Sequence, residues 1–508
     1  MMITLAPTQS TRLAPGYDGH GQIGLSPDPG QDQSDTHRPR FASDRGSVAR
    51  HTLALRMSAI IAVCAAPVAA QSTAATVSMH VDGDSVLRTI EPGMVLGGNI
   101  GVWLTPQMLA APTDRYLAER GAGIVRYPGG GMASNFCWTT MSVRNGGVWE
   151  HWSWGTDGDR YLVTLRDIGA RPLYSLNPFD HTLAGEPHDA VVEARDLVAH
   201  LVASGFTAAH YEIGNEHDQC CPSLSVEEYV DRFVTFASVV KDVDPSARIL
   251  GPVTSQPNAD WREGFLDGLA RRRRLDLLDA FSFHYYGAWL ASWNDDAIDL
   301  ALPQVMAAEI AAVRAKLADV GAAHIGIAIT EYNAALWDDV NRGAYSIEQA
   351  LWLADAAGEL FRSADIANVW IDVSGQHPHS LLSNSTTPVT RSRNYWPLAL
   401  VARVFARDGR STRVAVLETR SGLPTSRVTL HAVRTESGRH GLLLVNKGAA
   451  LVANVGLENQ TCSTLAAWHL DPVSHEAGLG PVEASASCIA GGVSVDLPRL
   501  SVVGVLVD

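Results

Sequence analysis

Two short stretches of the chain hold residues able to do acid–base work. Residues 210–219, HYEIGNEHDQ, crowd Glu212, Asn215, Glu216 and Asp218 between and beside two histidines. Residues 325–333, IGIAITEYN, end an apolar run on Glu331, Tyr332 and Asn333. Two carboxyl groups facing one cavity can divide labour. One, kept neutral, protonates a leaving oxygen; the other, ionised, attacks carbon or activates water. Mutual repulsion helps to separate their pKa values. This is the chemistry that cleavage of a glycosidic bond requires, and it demands a fold that brings Glu216 and Glu331 together. The bland alternatives are a solvated loop acid at 216 and an interior ion-pair partner at 331.

The elements that must position them repeat along the chain. Apolar runs ending in polar or glycine residues occur at 95–103, 123–130, 171–177, 210–216, 248–253, 280–287, 325–333 and 368–375. Amphipathic segments separate them. Residues 225–245 open with Ser225 and Glu228 at capping-box spacing and stop at Pro245. Residues 302–321 have an N-terminal proline and a closing glycine, and 188–205 read similarly. Strand–helix alternation repeated eight times over about 300 residues predicts a (β/α)8 TIM barrel. A doubly wound sheet is the alternative, but RYPGGG lacks the phosphate-binding glycine spacing. The expected boundaries are a disordered or wrongly assigned extension over 1–47, a secretory signal over 48–70, a strand at 76–92, a barrel over 93–408 and an all-β sandwich over 409–508, which the 76–92 strand joins.

A barrel of this kind carries its site at the C-terminal strand ends. Those ends deliver Arg126, Asn177, Asn215 with Glu216, His284 with Tyr285 and Tyr286, and Glu331, while the eighth strand carries Trp370 and a structural Asp372. Glu212 competes with Glu216, since strand alternation puts both on one face. Four residues at a rise of about 3.3 Å put Glu212 about 13 Å lower, in the barrel floor, as a paired buried acid. Arg126 could instead neutralise an interior carboxylate, and His284 and Tyr286 could be core residues. Trp138, Trp149, Trp152, Trp154, Trp289, Trp293 and Trp337 follow the second, sixth and seventh strands. Aromatic faces stack on the C–H faces of sugars, although some of these must merely pack loops.

EIGNE at the fourth strand and ITEYN at the seventh resemble the retaining glycoside hydrolases of clan A. VRYPGGGMASNFCW and the trailing β domain are similar to the family 51 α-L-arabinofuranosidases and their relatives, with features nearer family 79 and family 44. The resemblance covers roughly residues 75–508. It implies Glu216 as acid/base, Glu331 as nucleophile and Asn215 on the sugar 2-hydroxyl. Arg126, His284 and Tyr286 match groups that support the nucleophile and glycone, and Asn177, Trp138 and Trp337 complete the expected substrate-binding set. The segment HDQCCPS after Glu216 departs from family 51, which leaves the sugar open. The first-choice substrate is an arabinofuranosyl side chain of a plant polysaccharide. The alternatives are a β-glycosidase, a β-glucuronidase, an endo-β-glycanase, or a barrel that binds carbohydrate without cleaving it. No metal or organic cofactor is expected.

Composition is that of a globular protein, and the net charge of −15 argues against nucleic acid as a partner. Arg50 and Arg56, an apolar run from Met57 to Ala66 and Val68-Ala69-Ala70 form a signal-peptide pattern ending near Ala70, so a secreted or periplasmic mature protein with no membrane segment is expected. Cys462 and Cys488 are a plausible disulfide; the pairing of Cys137, Cys220 and Cys221 stays open. RRRR at 271–274 reads as a solvated helix end. The sequence is silent on oligomeric state.

Overall fold

In the computed structural model, residues 75–508 are described apart from 146, 221, 288–302, 335–344, 376, 385–387, 422–426, 459–461 and 464. The signal segment, Cys221, Trp289, Trp293 and Trp337 therefore lie outside the described residues.

Eight parallel strands close into a barrel: Gly97–Asn99, Ile124–Tyr127, Arg171–Leu176, His210–Ile213, Arg248–Thr254, Ala280–Gly287, Gly326–Ala334 and Ile366–Val369. Each grows from one of the eight apolar runs. Strands buried on both faces read as continuous apolar stretches, not alternating ones, which is why the runs were visible. The eighth strand ends at Val369, so Trp370 and Asp372 stand on the loop beyond it instead of on the strand. Asp372 is a buried ion-pair partner of Arg120.

The helices follow their caps. Val226–Val243 starts from Ser225, whose side chain and that of Glu228 form the reciprocal capping box. Ala190–Ala203 is capped by Asp189, which accepts from the amides of Val191 and Val192. Pro303–Asp319 and Ala259–Arg272 complete this side of the barrel. Arg271 and Arg272 pair with Glu227 and Asp231 of the preceding helix, so the arginine run is spent within the helical layer.

The barrel interior is stratified. Its lower layer is apolar: Ile124, Leu173, Leu250, Ala280, Ala328 and Ile366. The next layer holds Arg126 and Glu212, both fully buried. Glu212 is thus a paired buried acid, but not in the floor.

The β domain is one ten-stranded sheet that curls around its own core. The long N-terminal strand Ala75–Ile90 sits inside it, antiparallel to Val414–Ser421 and parallel to Leu451–Leu457. Val77, Met79 and Val81 alternate onto the core face. Cys462 and Cys488 form a disulfide. The barrel helix Ile347–Ser363 carries buried Asp355, which meets His431 Nε2 at 2.7 Å, Thr429 Oγ1 at 2.7 Å and Lys447 Nζ at 2.5 Å from the β domain. Among the described residues, no helix is long and apolar enough to cross a membrane.

Candidate active site

At the upper end of the barrel, four side chains from three strands or strand ends meet Arg126. Its Nε donates to Glu212 at 2.6 Å, its Nη1 to Glu331 at 2.7 Å and to Asn99 at 3.2 Å, and its Nη2 to Asn215 at 2.7 Å. The guanidinium is completely buried, and the two carboxylates outweigh its burial and raise its pKa. Arg126 therefore acts on Glu331 and Asn215 from beneath and offers no exposed face to solvent. Because the amide oxygen of Asn215 is taken by Arg126, its NH2 end is turned elsewhere.

Glu331 is held from a second direction. Tyr286 Oη donates to its Oε2 at 2.6 Å, and His284 Nδ1 lies 3.7 Å from the same oxygen. The sixth and seventh strands make this possible through a shift in register: Phe283 pairs with Ile329, but His284 pairs with Glu331. The extra residue, Thr330, turns Glu331 to the same side as His284.

Glu216 is positioned differently. The fourth strand stops at Ile213, and Gly214 and Glu216 both adopt positive φ, 75° and 53°. The chain therefore folds over the mouth instead of rising by a strand's 3.3 Å per residue. This is why Glu212, four residues earlier, lies only one layer below the site. The amide of Glu216 donates to Val253 O, and its carbonyl accepts from Gln219 and Cys220. Its side chain, 22% exposed, meets His284 Nδ1 at 2.7 Å.

The segment that departs from family 51 is the brace for this turn. His217 is buried against Phe179 and Tyr229, with Ser134 Oγ 3.2 Å from its Nε2 and Pro222 O 2.8 Å from its Nδ1. Burial pushes its pKa down to about 4, so it is a neutral packing group near neutral pH. A side chain on Gly214 would collide with this ring, which fixes glycine there. Asp218 accepts from the amide and hydroxyl of Ser255.

The electrostatics tie the three central groups together. One oxygen of Glu216, one of Glu331 and a nitrogen of His284 all lie within 4.8 Å of one another. Burial would lower the pKa of His284, but the charge of Glu331 and the hydrogen bond and charge of Glu216 raise it. Burial would raise Glu216, but the hydrogen bond and charge of His284 leave it lowered. Burial, with repulsion from Glu216, leaves Glu331 raised despite His284, Arg126 and Tyr286. In the free site, a proton shared by Glu216 and His284 therefore rests on the imidazole side.

Solved structures share this architecture. The GH51 arabinofuranosidase from Xanthomonas axonopodis pv. citri aligns with 85% of this chain and 100% of its own, at 17% identity and a TM-score of 0.68. The α-L-arabinofuranosidase from Thermotoga maritima aligns with 85% and 99%, at 15% identity and a TM-score of 0.68. A xyloglucanase of glycoside hydrolase family 44 from Paenibacillus polymyxa aligns with 85% and 100%, at 16% identity and a TM-score of 0.64. The chain has the fold of these glycoside hydrolases. No protein-family model matches the sequence, and no curated protein does so either.

The remaining predicted residues fall into two groups. Trp138 lies on the flank of the barrel: its Nε1 donates to Glu193 O, and its ring faces His200 of the same helix. It anchors the 131–160 loop instead of lining the space between the carboxylates. Asn177 is also engaged locally, accepting from Phe179 N and donating to Phe136 O. Trp337 lies outside the described residues. Conversely, Asn99 went unremarked in the sequence. It links Arg126 to the carbonyls of Thr330 and Val369 and so ties the first strand to the seventh and eighth. Its signal was faint, because the first strand is only three residues long. Trp103 and Trp370 pair at 6.1 Å and are partly exposed at the first and eighth strand ends.

Proposed function

We propose that this chain is a retaining glycoside hydrolase acting by double displacement, with Glu331 as nucleophile and Glu216 as acid/base. The observation that carries the reading is the approach of the two carboxylates to within 4.8 Å, oxygen to oxygen. Retaining enzymes space the pair at about 5–5.5 Å, whereas inverting ones leave about 6.5–9.5 Å for a water.

The steps follow from the contacts. Arg126 and Tyr286 hold Glu331, one on each of its oxygens. The proton on His284 passes along its 2.7 Å contact to Glu216, which delivers it to the leaving oxygen as Glu331 attacks the anomeric carbon. The aglycone departs, and a glycosyl ester remains on Glu331. Glu216, now ionised, takes a proton from water, and the hydroxide so formed displaces Glu331 with net retention. Asn215 is the donor for the 2-hydroxyl. No metal or organic cofactor has a role in these steps.

The substrate proposed first is an arabinofuranosyl side chain of a plant polysaccharide, supported by the arabinofuranosidases among the structural neighbours. The xyloglucanase neighbour keeps an endo-β-glycanase as the second reading. A panel of chromogenic furanosides, pyranosides and uronides separates the two, with NMR of the first-formed anomer reporting stereochemistry. Turnover with inversion would remove the nucleophile from Glu331. Binding of oligosaccharides with no turnover of any glycoside would make the barrel a binding protein. We further propose export with cleavage after Ala70, which the disulfide suits. An N-terminus other than Gln71 on protein recovered outside the cell refutes that cleavage site.

A further inference from the structure

A second cluster of chemistry-bearing residues lies beside the barrel mouth, and the double displacement does not use it. Cys137 belongs to a short strand, Phe136–Cys137, beyond the second barrel strand. His181 and His188 face each other across the hairpin His181–Leu183/Glu186–His188, beyond the third. Glu193 is in the first turn of the helix Ala190–Ala203. Glu193 Oε1 is the hub: Cys137 Sγ lies 3.1 Å away, His188 Nδ1 2.8 Å and His181 Nε2 3.7 Å. The four ligand atoms all lie within 4.8 Å of one another.

The group could be a hydrogen-bonded knot in which the thiol and one imidazole donate to Glu193. That account leaves His181 unexplained. Its side chain is only 6% exposed, and its Nε2 is buried without a hydrogen-bond partner. Its Nδ1 faces Phe179 O at 3.3 Å, which selects the tautomer with the proton on Nδ1. Nε2 is then a bare lone pair turned toward a carboxylate oxygen and a sulfur. Two acceptors facing each other in a buried place call for a cation between them, a proton or a metal ion.

We propose that Cys137, His181, His188 and Glu193 bind one zinc ion in a closed tetrahedral site. The donor set is sulfur, two imidazole nitrogens and one carboxylate oxygen, a combination that suits zinc. Bond lengths of about 2.0–2.3 Å imply ligand–ligand edges of roughly 3.3–3.7 Å, so the widest pair here closes by roughly 1 Å. The surrounding groups are those of a metal site. Phe179 O orients His181, Thr139 Oγ1 lies 3.2 Å from the sulfur, and Trp138 Nε1 holds the backbone of Glu193. Trp149 packs against His181 with ring centroids 4.6 Å apart, which covers the site from the 131–160 loop.

A metal binds the thiolate, so binding at Cys137 releases the thiol proton. The thiolate and the carboxylate then neutralise the ion. Four protein ligands leave no position for substrate, so the ion is structural. It clamps two mouth loops to one barrel helix, and it is independent of the roles assigned to Glu216 and Glu331.

The test uses the full chain, purified without chelator. Elemental analysis after dialysis against zinc should find about one ion per chain, and a strong chelator should lower the melting temperature. Cobalt substitution should give a near-ultraviolet thiolate charge-transfer band that is lost in Cys137→Ser. His181→Gln should reduce zinc content several-fold. A wild-type chain that holds no zinc or cobalt overturns the proposal. So does a zinc content in both variants equal to that of the wild type. If the variants fail to fold, the wild-type metal content and cobalt band decide alone.

Discussion

The cluster around Arg126 and the cluster around Glu193 both mix histidine with carboxylate at the same end of the barrel, yet their balances are opposite. Around Arg126 the acceptors outnumber the donors, but a fixed guanidinium, a tyrosine hydroxyl and an imidazole are there to meet them. Around Glu193, among the described residues, no arginine or lysine pairs with the cluster, and an imidazole nitrogen is left facing the carboxylate. The first cluster carries its own cation and can leave its carboxylates free to react. The second lacks one and is built to receive it. Their origins differ in the same sense. Strand ends locked by barrel register supply the first, and loops with one helix start supply the second. A site that must hold reacting groups to within fractions of an ångström belongs on the former.

The largest effect should come from Glu331→Ala. Removing the proposed nucleophile should cost about 10⁴-fold or more in kcat with the fold intact. Retention of near-full activity would show that the balanced cluster is only an interior ion pair, and the contrast would collapse. Next is Arg126→Met, which strips the internal cation and leaves Glu212 and Glu331 buried without it. A loss of about 3–5 kcal/mol in unfolding free energy is expected, the penalty for breaking a buried pair from one side. A loss below about 1 kcal/mol would mean that the carboxylates are neutral already.

Asp355 supplies a control away from the mouth, since Lys447 and His431 compensate it in the same internal manner. Burial would raise its carboxyl, but the Lys447 charge and the His431 hydrogen bond hold it well below the usual range. Its folded pKa is depressed, so the stability it contributes is present above the ordinary aspartate value and is lost as the pH falls below it. Denaturant titrations from neutral to about pH 3 should show this fall in the wild type and a flatter profile in Asp355→Asn. Parallel profiles would remove Asp355 from the acid sensitivity.

The barrel was legible because each parallel strand announces itself as an apolar run, and several helices announce themselves through Ser225, Asp189 and Pro303. The convergence of Glu216 and Glu331 followed from placing both at strand ends. What failed was height along the strand. Counting an extended rise from 212 to 216 ignored Gly214, whose positive φ ends the strand and folds the chain over. Asn99 was lost because three residues of strand carry little pattern. The 76–92 strand was expected to join the β domain, but that it lies between Val414–Ser421 and Leu451–Leu457 and makes one sheet was hidden, because more than 300 residues separate it from them. The Glu193 cluster escaped because its ligands share no local spacing. Zinc motifs are recognisable in sequence only when ligands come in close pairs, and here His188 and Glu193 are five residues apart while Cys137 is on another loop.

The smallest and most discriminating effect concerns the proton between Glu216 and His284. If the acid is replenished through the imidazole, the alkaline limb of kcat/KM reports loss of a proton from the pair. The pKa of His284 is raised above its ordinary value, so activity should persist above the usual histidine range and fall as the pH rises further. In His284→Gln the hydrogen bond to Glu216 can remain, but the titrating imidazole is gone. Glu216 must then hold its own proton, which burial and Glu331 help it to do, though as a carboxyl and not an imidazole. The alkaline limb should move toward acid, with a smaller change in the acidic limb set by Glu331. A uniform drop in rate with an unmoved profile would show that His284 merely orients Glu216. The balanced cluster would then resemble the Glu193 cluster more closely than its charges suggest, with its histidine serving as a fixed ligand and not as a proton carrier.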